Sequence, residues 1–548
     1  MPTSREQIVT ANPELAESAQ VTSPISDTPV STLYDKIPYD SRPYPRAHID
    51  RLATVATLMG MTPPAIDSCR VLEIGCAAGG HLIPMAVNLP GSHFVGIDIS
   101  TRELADGQRM VADLQLKNIE LLHMGIEAVD QSLGKFDYVV CHGVFSWVPA
   151  DVRRGILEIC RQNLSANGVA YVSYNTYPGW HFRDIVRDMM RFHARGQADP
   201  LARAREGRRL LELLVKAVPA GKSAYGAVLK QEADLVGRVA DWYLCHDHMA
   251  DINEPVYFHQ FAEQVAACGL QYLGEAQFGT MLPRGLPAEV IAGLREFSGD
   301  IIAEQQYLDF VRATPFRHSL LCQQGVTLNR RPGPECLERL HIAAHATAQP
   351  AGGDVRSADA VTFSGPGGKL TSNRPLMKAA ILHLMDRWPR TVAFPELCAA
   401  AGARVDPAPV RSAQQVKADK ELLGGIILKG YFASDLLELH AGPVTFCAKA
   451  TQRPVASPLA RLQANKQAVV TNLRHDAVSL SELQQRVLQQ LDGEHDRAAL
   501  LAVLAELTRQ GSLVIQQGGQ DAAQAGNALE RALDSTLSDL ATNALLIG

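Results

Sequence analysis

An α/β fold on a doubly wound, Rossmann-type sheet is what this sequence predicts, with a helical insertion and mainly α, winged-helix-like domains behind it. Three observations predict it. Short apolar runs alternate with helical patterns from Cys69 to Asn175. One run opens into a glycine-rich turn, VLEIGCAAGG at residues 71–80, and the next ends in an acid, Asp98 of FVGIDIS. Parallel strands covered on both faces read as short apolar runs, and the helices between them imply right-handed crossovers.

Residues 1–30 are polar and poor in aromatics, a mobile leader. From Tyr34 the chain turns aromatic and proline-rich (YDKIPYDSRPYPRAHIDRLATVATLMG) and enters an amphipathic helix. Strands are expected at Cys69–Gly75, His93–Asp98, Ile119–His123, Phe136–His142 and Val169–Asn175, with helices at Gly79–Asn88, Glu103–Leu116 and Val152–Asn163. Residues 31–180 thus form a ligand-binding core. An insertion at 181–330 is helical and Arg-rich from Trp180 to about Ala240. A helix and a strand follow in Glu254–Leu282, then helices to Phe310 and a strand at Phe316–Gln324, so this unit returns strands to the core sheet. Pro, Gly and Ala mark 331–357 as a linker. Beyond it, in 358–548, helices at Pro375–Trp388, Pro395–Ala401, Ser412–Leu423 and Leu480–Leu507 precede a strand at Leu513–Gln516, a winged-helix-like pattern.

The chain of 548 residues is too long for one hydrophobic core. With 46% hydrophobic and 20% charged residues it has a soluble globular composition, and a net charge of −6 gives no case for nucleic acid. Ten cysteines without a CxxC pair argue for reduced thiols, not a zinc ribbon or disulfide framework. No secretory signal opens the chain, and the uncharged stretch between Glu73 and Asp98 is broken by glycines and prolines, so a cytoplasmic protein without a membrane span is expected.

The turn after the first strand carries the chemistry. Gly75 permits a tight bend, Ala77 and Gly79 leave room for a ligand against backbone, and free N–H groups follow at the next helix. The dinucleotide pattern GxG/AxxG is loosely met and weak alone. Glu73, two residues before the first glycine, would repel a pyrophosphate, but it suits a cofactor with an amino group and a sulfonium. The ExGxxxG form through Glu73, Gly75 and Gly79, with Asp98 placed to accept ribose hydroxyls, resembles the class I S-adenosylmethionine methyltransferases. The segments YDKIPYDSRPYPRAHIDRLA, VLEIGCAAGGHLIPMA, FDYVVCHGVFSWVP, VAYVSYNTYPGWHFRDIVRDMM and DINEPVYFHQFAEQVAACGLQYLGEA are similar to a bacterial family. That family joins such a domain to a methyltransferase regulatory domain, and the protein-lysine methyltransferases of Rickettsia share its architecture. The resemblance covers Tyr34 to Gln324, and more loosely the C-terminal third.

The resemblance implies S-adenosyl-L-methionine as cofactor. Glu73, Gly75, Cys76, Ala77 and Gly79 then form the first motif, Asp98 takes the ribose, and Ile99 beside it belongs to the cofactor site. Gly125 and Ile126 lie against the adenine, where HMGIEAV lacks the usual acid, while Cys141 and His142 face the methionine. By their position, Tyr34 and Tyr39 precede the fold and are candidates to close over the cofactor, with simple packing the alternative reading. Strand four ends in CHGVFSW, not the [ND]PP[YFW] used on planar amide or base nitrogens, which points away from those acceptors.

A lysine acceptor, with reference pKa near 10.4, must lose its proton at a cost of about 4–5 kcal/mol at pH 7. Apolar surroundings and a nearby sulfonium lower that cost, so the pocket should be aromatic. Tyr34, Tyr39, Phe145, Trp147, Tyr174 and Trp180 are its candidates, with plain packing the simpler reading of Trp147 and Trp180. His142, or Tyr174 through water, would accept the proton; the alternative for His142 is a histidine that only orders its loop. Three functions stay open: a protein-lysine N-methyltransferase, a small-molecule N- or O-methyltransferase, and a cofactor-binding regulatory protein. A protein substrate is favoured, no nucleic acid is expected, and a homodimer is left open. Arg183, Arg187, Arg191 and Arg195 recur every fourth residue and read as a solvated face paired with Asp184 and Asp188. Cys245, His246, His248 and His259 include metal-type ligands without a second cluster, so no metal is assigned.

Overall fold

The computed structural model describes residues 33–351, 354–407, 412–444, 446–510 and 522–548; the leader 1–30 and the expected strand Leu513–Gln516 lie outside them. Its centre is an eight-stranded sheet of β1 (Arg70–Ile74), β2 (His93–Asp98), β3 (Ile119–His123), β4 (Phe136–Cys141), β5 (Leu164–Tyr177), β6 (Val256–Tyr257), β7 (Leu270–Glu275) and β8 (Phe316–Gln323). The order is 3-2-1-4-5-8-7, with β6 paired to β5. The first five strands run parallel, β8 pairs antiparallel with β5, and β7 pairs antiparallel with β8 and so runs in the direction of the first five. The order reverses at β1, so a ligand crevice opens beyond the C-terminal ends of β1 and β4.

The helices of this unit are α1 (Leu33–Lys36), α2 (Ile49–Leu58), α3 (Leu82–Asn88), α4 (Thr101–Asp113) and α5 (Ala150–Asn163). Alternation along the strands fills both faces. Val71, Tyr138, Val140 and Tyr171 belong to one buried cluster; Leu72, Ile74, Val139, Cys141, Val172 and Tyr174 belong to the other. The expected helix from Gly79 begins only at Leu82, because the chain is still turning through left-handed backbone at Gly79 (φ +74°).

The insertion contributes α6 (Trp180–Ala194), α7 (Pro200–Ala217), α8 (Ala224–Val236), α9 (Asp241–His246) and α10 (Phe258–Ala267). The arginine stripe of α6 is not the solvated face expected. Arg187 is buried and donates to the carbonyls of His248 (2.8 Å) and Ala250 (2.6 Å), Arg191 pairs with Asp251, and Arg183 lies over the Trp180 ring. These arginines cap carbonyls after α9, where the backbone has no helical partner.

The linker expected at 331–357 is largely ordered structure. It carries a 3-10 helix, Pro334–Arg339, and two strands, β9 (His341–Ala344) and β10 (Thr347–Gln349). β9 is the middle strand of a sheet with Val392–Ala393 and Leu437–His440 on either side. Its small side chains pack in a crowded interior, so composition alone mistook a buried strand for a loop. The expected helix Leu480–Leu507 is two, Glu482–Gln489 and Arg497–Arg509, parted at Gly493 (φ +90°) and restarted by the Asp496 N-cap.

The C-terminal region does not stand apart. Leu52 and Val55 of α2 share one buried cluster with Leu376, Phe394, Ile427 and Leu439. Asp50 accepts from the Ala441 amide (2.7 Å) and pairs with His440 (2.8 Å). Among the described residues no helix is long and apolar enough to cross a membrane.

Candidate functional site

The turn after β1 is built on backbone that L-residues seldom adopt: φ is +75° at Gly75, +49° at Ala77 and +74° at Gly79. A side chain at Gly75 would also lie 2.6 Å from Val144 Cγ2. The turn is held from β2. Ile97 O accepts from the Gly75 and Cys76 amides, and Asp98 accepts from the Ala77 amide (2.8 Å) on one oxygen and the Ser100 amide (2.9 Å) on the other. Asp98 thereby sits at the rim of the crevice, its carboxyl raised by burial against those hydrogen bonds.

Glu73 lies at the floor, 3% exposed, and its Oε2 has no hydrogen-bond partner among the described residues. Burial, then the neighbouring Asp98 charge, pushes its pKa well above the ordinary carboxylate range. An orphaned buried carboxylate is costly in isolation and is explained by a cationic partner. Ile99 is 49% exposed, a large apolar side chain turned to solvent beside Asp98, as a flat aromatic ligand requires. Gly125 opens the 3-10 turn Ile126–Ala128. Glu127 folds back so closely that a side chain on residue 125 would overlap its carboxylate.

The segment before α2 is laid across this crevice. The Tyr39 amide donates to Glu103 (2.8 Å), the Gly80 amide to Ser41 Oγ (2.8 Å), and the Tyr44 amide to His81 Nδ1 (3.3 Å). Ser100 Oγ donates to Asp35 (2.8 Å). Tyr34 stacks on His246 at 4.7 Å, and Tyr39 meets His246 and Trp242 edge-on. Burial raises the Tyr34 hydroxyl to about 12 and the Glu103 carboxyl to about 7. Both predicted tyrosines are therefore on the strap, while Glu103, Ser41 and Tyr44 carried no sequence signal beyond their neighbourhood.

His142 stands at the end of β4 on the same face as Glu73. Its Nδ1 meets the Tyr171 hydroxyl (2.8 Å) and Ser173 Oγ (3.3 Å), Tyr44 lies against its ring at 3.8 Å, and Phe316 and His318 close the other side. Burial lowers its pKa to about 4. Three expected partners are elsewhere. Cys141 points to the opposite face of the sheet, and Tyr174 is buried there with Phe145, stacked on Phe261 and bonded to Ser319 Oγ (3.0 Å). A period-2 slip explains both: residues 171 and 173, not 174, share the face of His142. Trp147 packs edge-on to Trp180 beneath α6 and makes no ring contact with His142.

Comparison with known proteins fits this geometry. Residues 72–170 match a methyltransferase domain, 240–323 a predicted methyltransferase regulatory domain, and 452–545 the PKMT C-terminal winged helix domain. The uncharacterized protein RP789 of Rickettsia prowazekii is 32% identical over 526 residues, which cover 94% of this chain and 93% of that protein. The chain belongs to this methyltransferase family. PKMT2 from Rickettsia typhi is similar in structure, with a TM-score of 0.82 at 27% identity, covering 93% of this chain and 100% of that one. Its complex with AdoHcy matches at 0.82 and 26%.

The protein is thus an S-adenosylmethionine-dependent methyltransferase, and its residues fit the cofactor. We propose that Glu73 would hold the amino group, Asp98 the ribose and Ile99 the adenine, with the Gly75–Gly79 turn leaving bare backbone for the rest. In this methyltransferase Asp98 also pins Ala77, so Asp98→Ala loses a ribose acceptor and a loop anchor together. Isothermal calorimetry should then find S-adenosylhomocysteine bound about 2–3 kcal/mol more weakly. An unchanged dissociation constant would remove Asp98 from the site.

Proposed function

We propose that this methyltransferase modifies lysine side chains of a protein substrate. The observation that carries the reading is the aromatic cluster around His142: the rings of Tyr44, Tyr171, Phe316 and His318 surround it. Burial holds the imidazoles neutral, lowering His142 to about 4 and His318 to about 3. Such walls favour an amine in its neutral form by desolvation and attract it as a cation before proton loss. A base of pKa near 4 is far too weak to drive deprotonation of an ammonium near 10, so the proton leaves to solvent and His142 orients the amine. With Nδ1–H given to Tyr171, its Nε2 can accept one N–H of the incoming amine. When bound, the cofactor supplies an electrophilic methyl for in-line displacement. The PKMT designation of the winged-helix family and of the R. typhi structure supports a protein acceptor.

The test is transfer of labelled methyl from S-adenosylmethionine into bacterial lysate, followed by amino-acid analysis. Methyl-lysine should carry the label, and the rate should rise with pH as the acceptor amine loses its proton. Label confined to small molecules, or found as methyl esters, would overturn the proposal.

A further inference from the structure

The hairpin of the winged-helix domain ends in a turn that reaches the cofactor-binding unit. Between its strands, Val469–Thr471 and Ala477–Ser479, His475 is held at φ +65°, a left-handed conformation that favours glycine and costs about 1 kcal/mol for other residues. Asn472 enforces it: its side-chain oxygen accepts from the Arg474 and Asp476 amides (2.9 and 2.8 Å), and its Nδ2 donates to Asn543 O (3.1 Å). The strain aims one imidazole into a buried place. His475 Nε2 lies 2.7 Å from His81 Nδ1, and its ring meets those of His81 and His48 edge-on.

The donor in that contact is fixed by chemistry. The Tyr44 amide can only donate, so His81 Nδ1 is an acceptor whose single lone pair is shared by the His475 Nε2 proton at 2.7 Å and, more weakly, the Tyr44 amide at 3.3 Å. His81 directly follows the Gly79–Gly80 turn and precedes α3. Through Tyr44, which lies on His142, it also holds the strap over the crevice. A continuous path of contacts therefore runs from His475 through His81 and Tyr44 to His142. His81 and His475 are buried and His48 partly so; burial lowers His48 to about 4 and the other two well below the ordinary imidazole value, so the cluster is neutral and works through its hydrogen bonds.

We propose that His475 of the winged-helix domain is a positioning residue of the methyltransferase site, fixing His81 and with it the Tyr44 strap that retains the cofactor. The proposal rests on the cofactor site and is independent of the acceptor's identity.

Three full-length variants test it. His475→Gly removes the donor and relieves the left-handed strain, which partly offsets the cavity its buried ring leaves. His475→Gln keeps a donor at the reach of Nε2. His475→Asn tolerates the same backbone with an amide too short to reach His81. Calorimetry with S-adenosylhomocysteine should find the Gly and Asn variants roughly tenfold weaker than wild type, and the Gln variant within about threefold of it. Amide hydrogen exchange should speed up over residues 39–48 in the two weak variants alone, while all three still unfold cooperatively. Wild-type affinity in a folded Gly or Asn variant, or a Gln variant as weak as they are, overturns the proposal. If the Gly variant does not fold, the Gln–Asn pair decides it.

Discussion

Glu73→Gln should weaken S-adenosylhomocysteine binding by about 2–3 kcal/mol, roughly thirty- to hundredfold, while stabilising the ligand-free enzyme. The two signs have one cause. Without ligand, Glu73 is a buried carboxyl whose Oε2 has no partner, and burial beside Asp98 disfavours its charge. Its folded pKa lies above its unfolded one, so its stabilising contribution is present below the unfolded value of about 4.5 and is lost as pH rises. The amide cannot ionise and escapes that penalty, so the variant should melt higher than wild type at pH 8. With an ammonium-bearing ligand the order inverts, because only the carboxylate gives a charge-assisted bond in a desolvated site. Differential scanning fluorimetry at pH 5 and 8, with and without ligand, reads both effects. Equal ligand-induced shifts in the two proteins would show that Glu73 does not meet the amino group.

Glu73 was legible because its chemistry is local: an acid two residues ahead of a glycine at the end of an apolar run has few uses. Asp98 was legible for the same reason, and β2 and β3 appear at the expected bounds since their apolar runs end in abrupt polar breaks. The acceptor pocket was not. Tyr171 and Tyr174 look alike in sequence, and the face each takes depends on pairing with β4 and β8, which no spacing reports. Tyr44, His81 and His475 are brought together across nearly four hundred residues, and only the docking of the winged-helix domain gives them meaning. The supposed linker failed for a related reason. Its alanines are what a crowded strand between two neighbours needs, and composition cannot distinguish small because buried from small because flexible.

That buried strand sets the last prediction. From the sequence, residues 358–548 look removable from a core that folds alone. The structure makes the opposite outcome the expected one: a 1–357 fragment should be unfolded or aggregated and should not bind S-adenosylhomocysteine. β9 would lose the neighbours on both its edges. The cluster that Leu52 and Val55 share with Leu376, Phe394, Ile427 and Leu439 would open, at about 1.5–3 kcal/mol for each large side chain exposed. Asp50 would lose His440 and the Ala441 amide, and a buried charge stripped of its partner costs about 3–5 kcal/mol. Losses of this kind are comparable to the 5–15 kcal/mol by which a domain is stable. A cooperative melt and native ligand affinity in the fragment would refute this. The Asp50–His440 pair can be tested in the intact chain by its pH signature. His440, flanked by Asp50 and Glu438, is raised to about 9, so its contribution is full below about 6.5 and fades as pH climbs to 9. Asp50, lowered to about 2 through His440, contributes above about 4 and fails only in acid. The pair is therefore at full strength between about pH 4 and 6.5. Asp50→Asn should cost most stability in that window and progressively less toward pH 9, because the wild-type histidine has by then lost its charge.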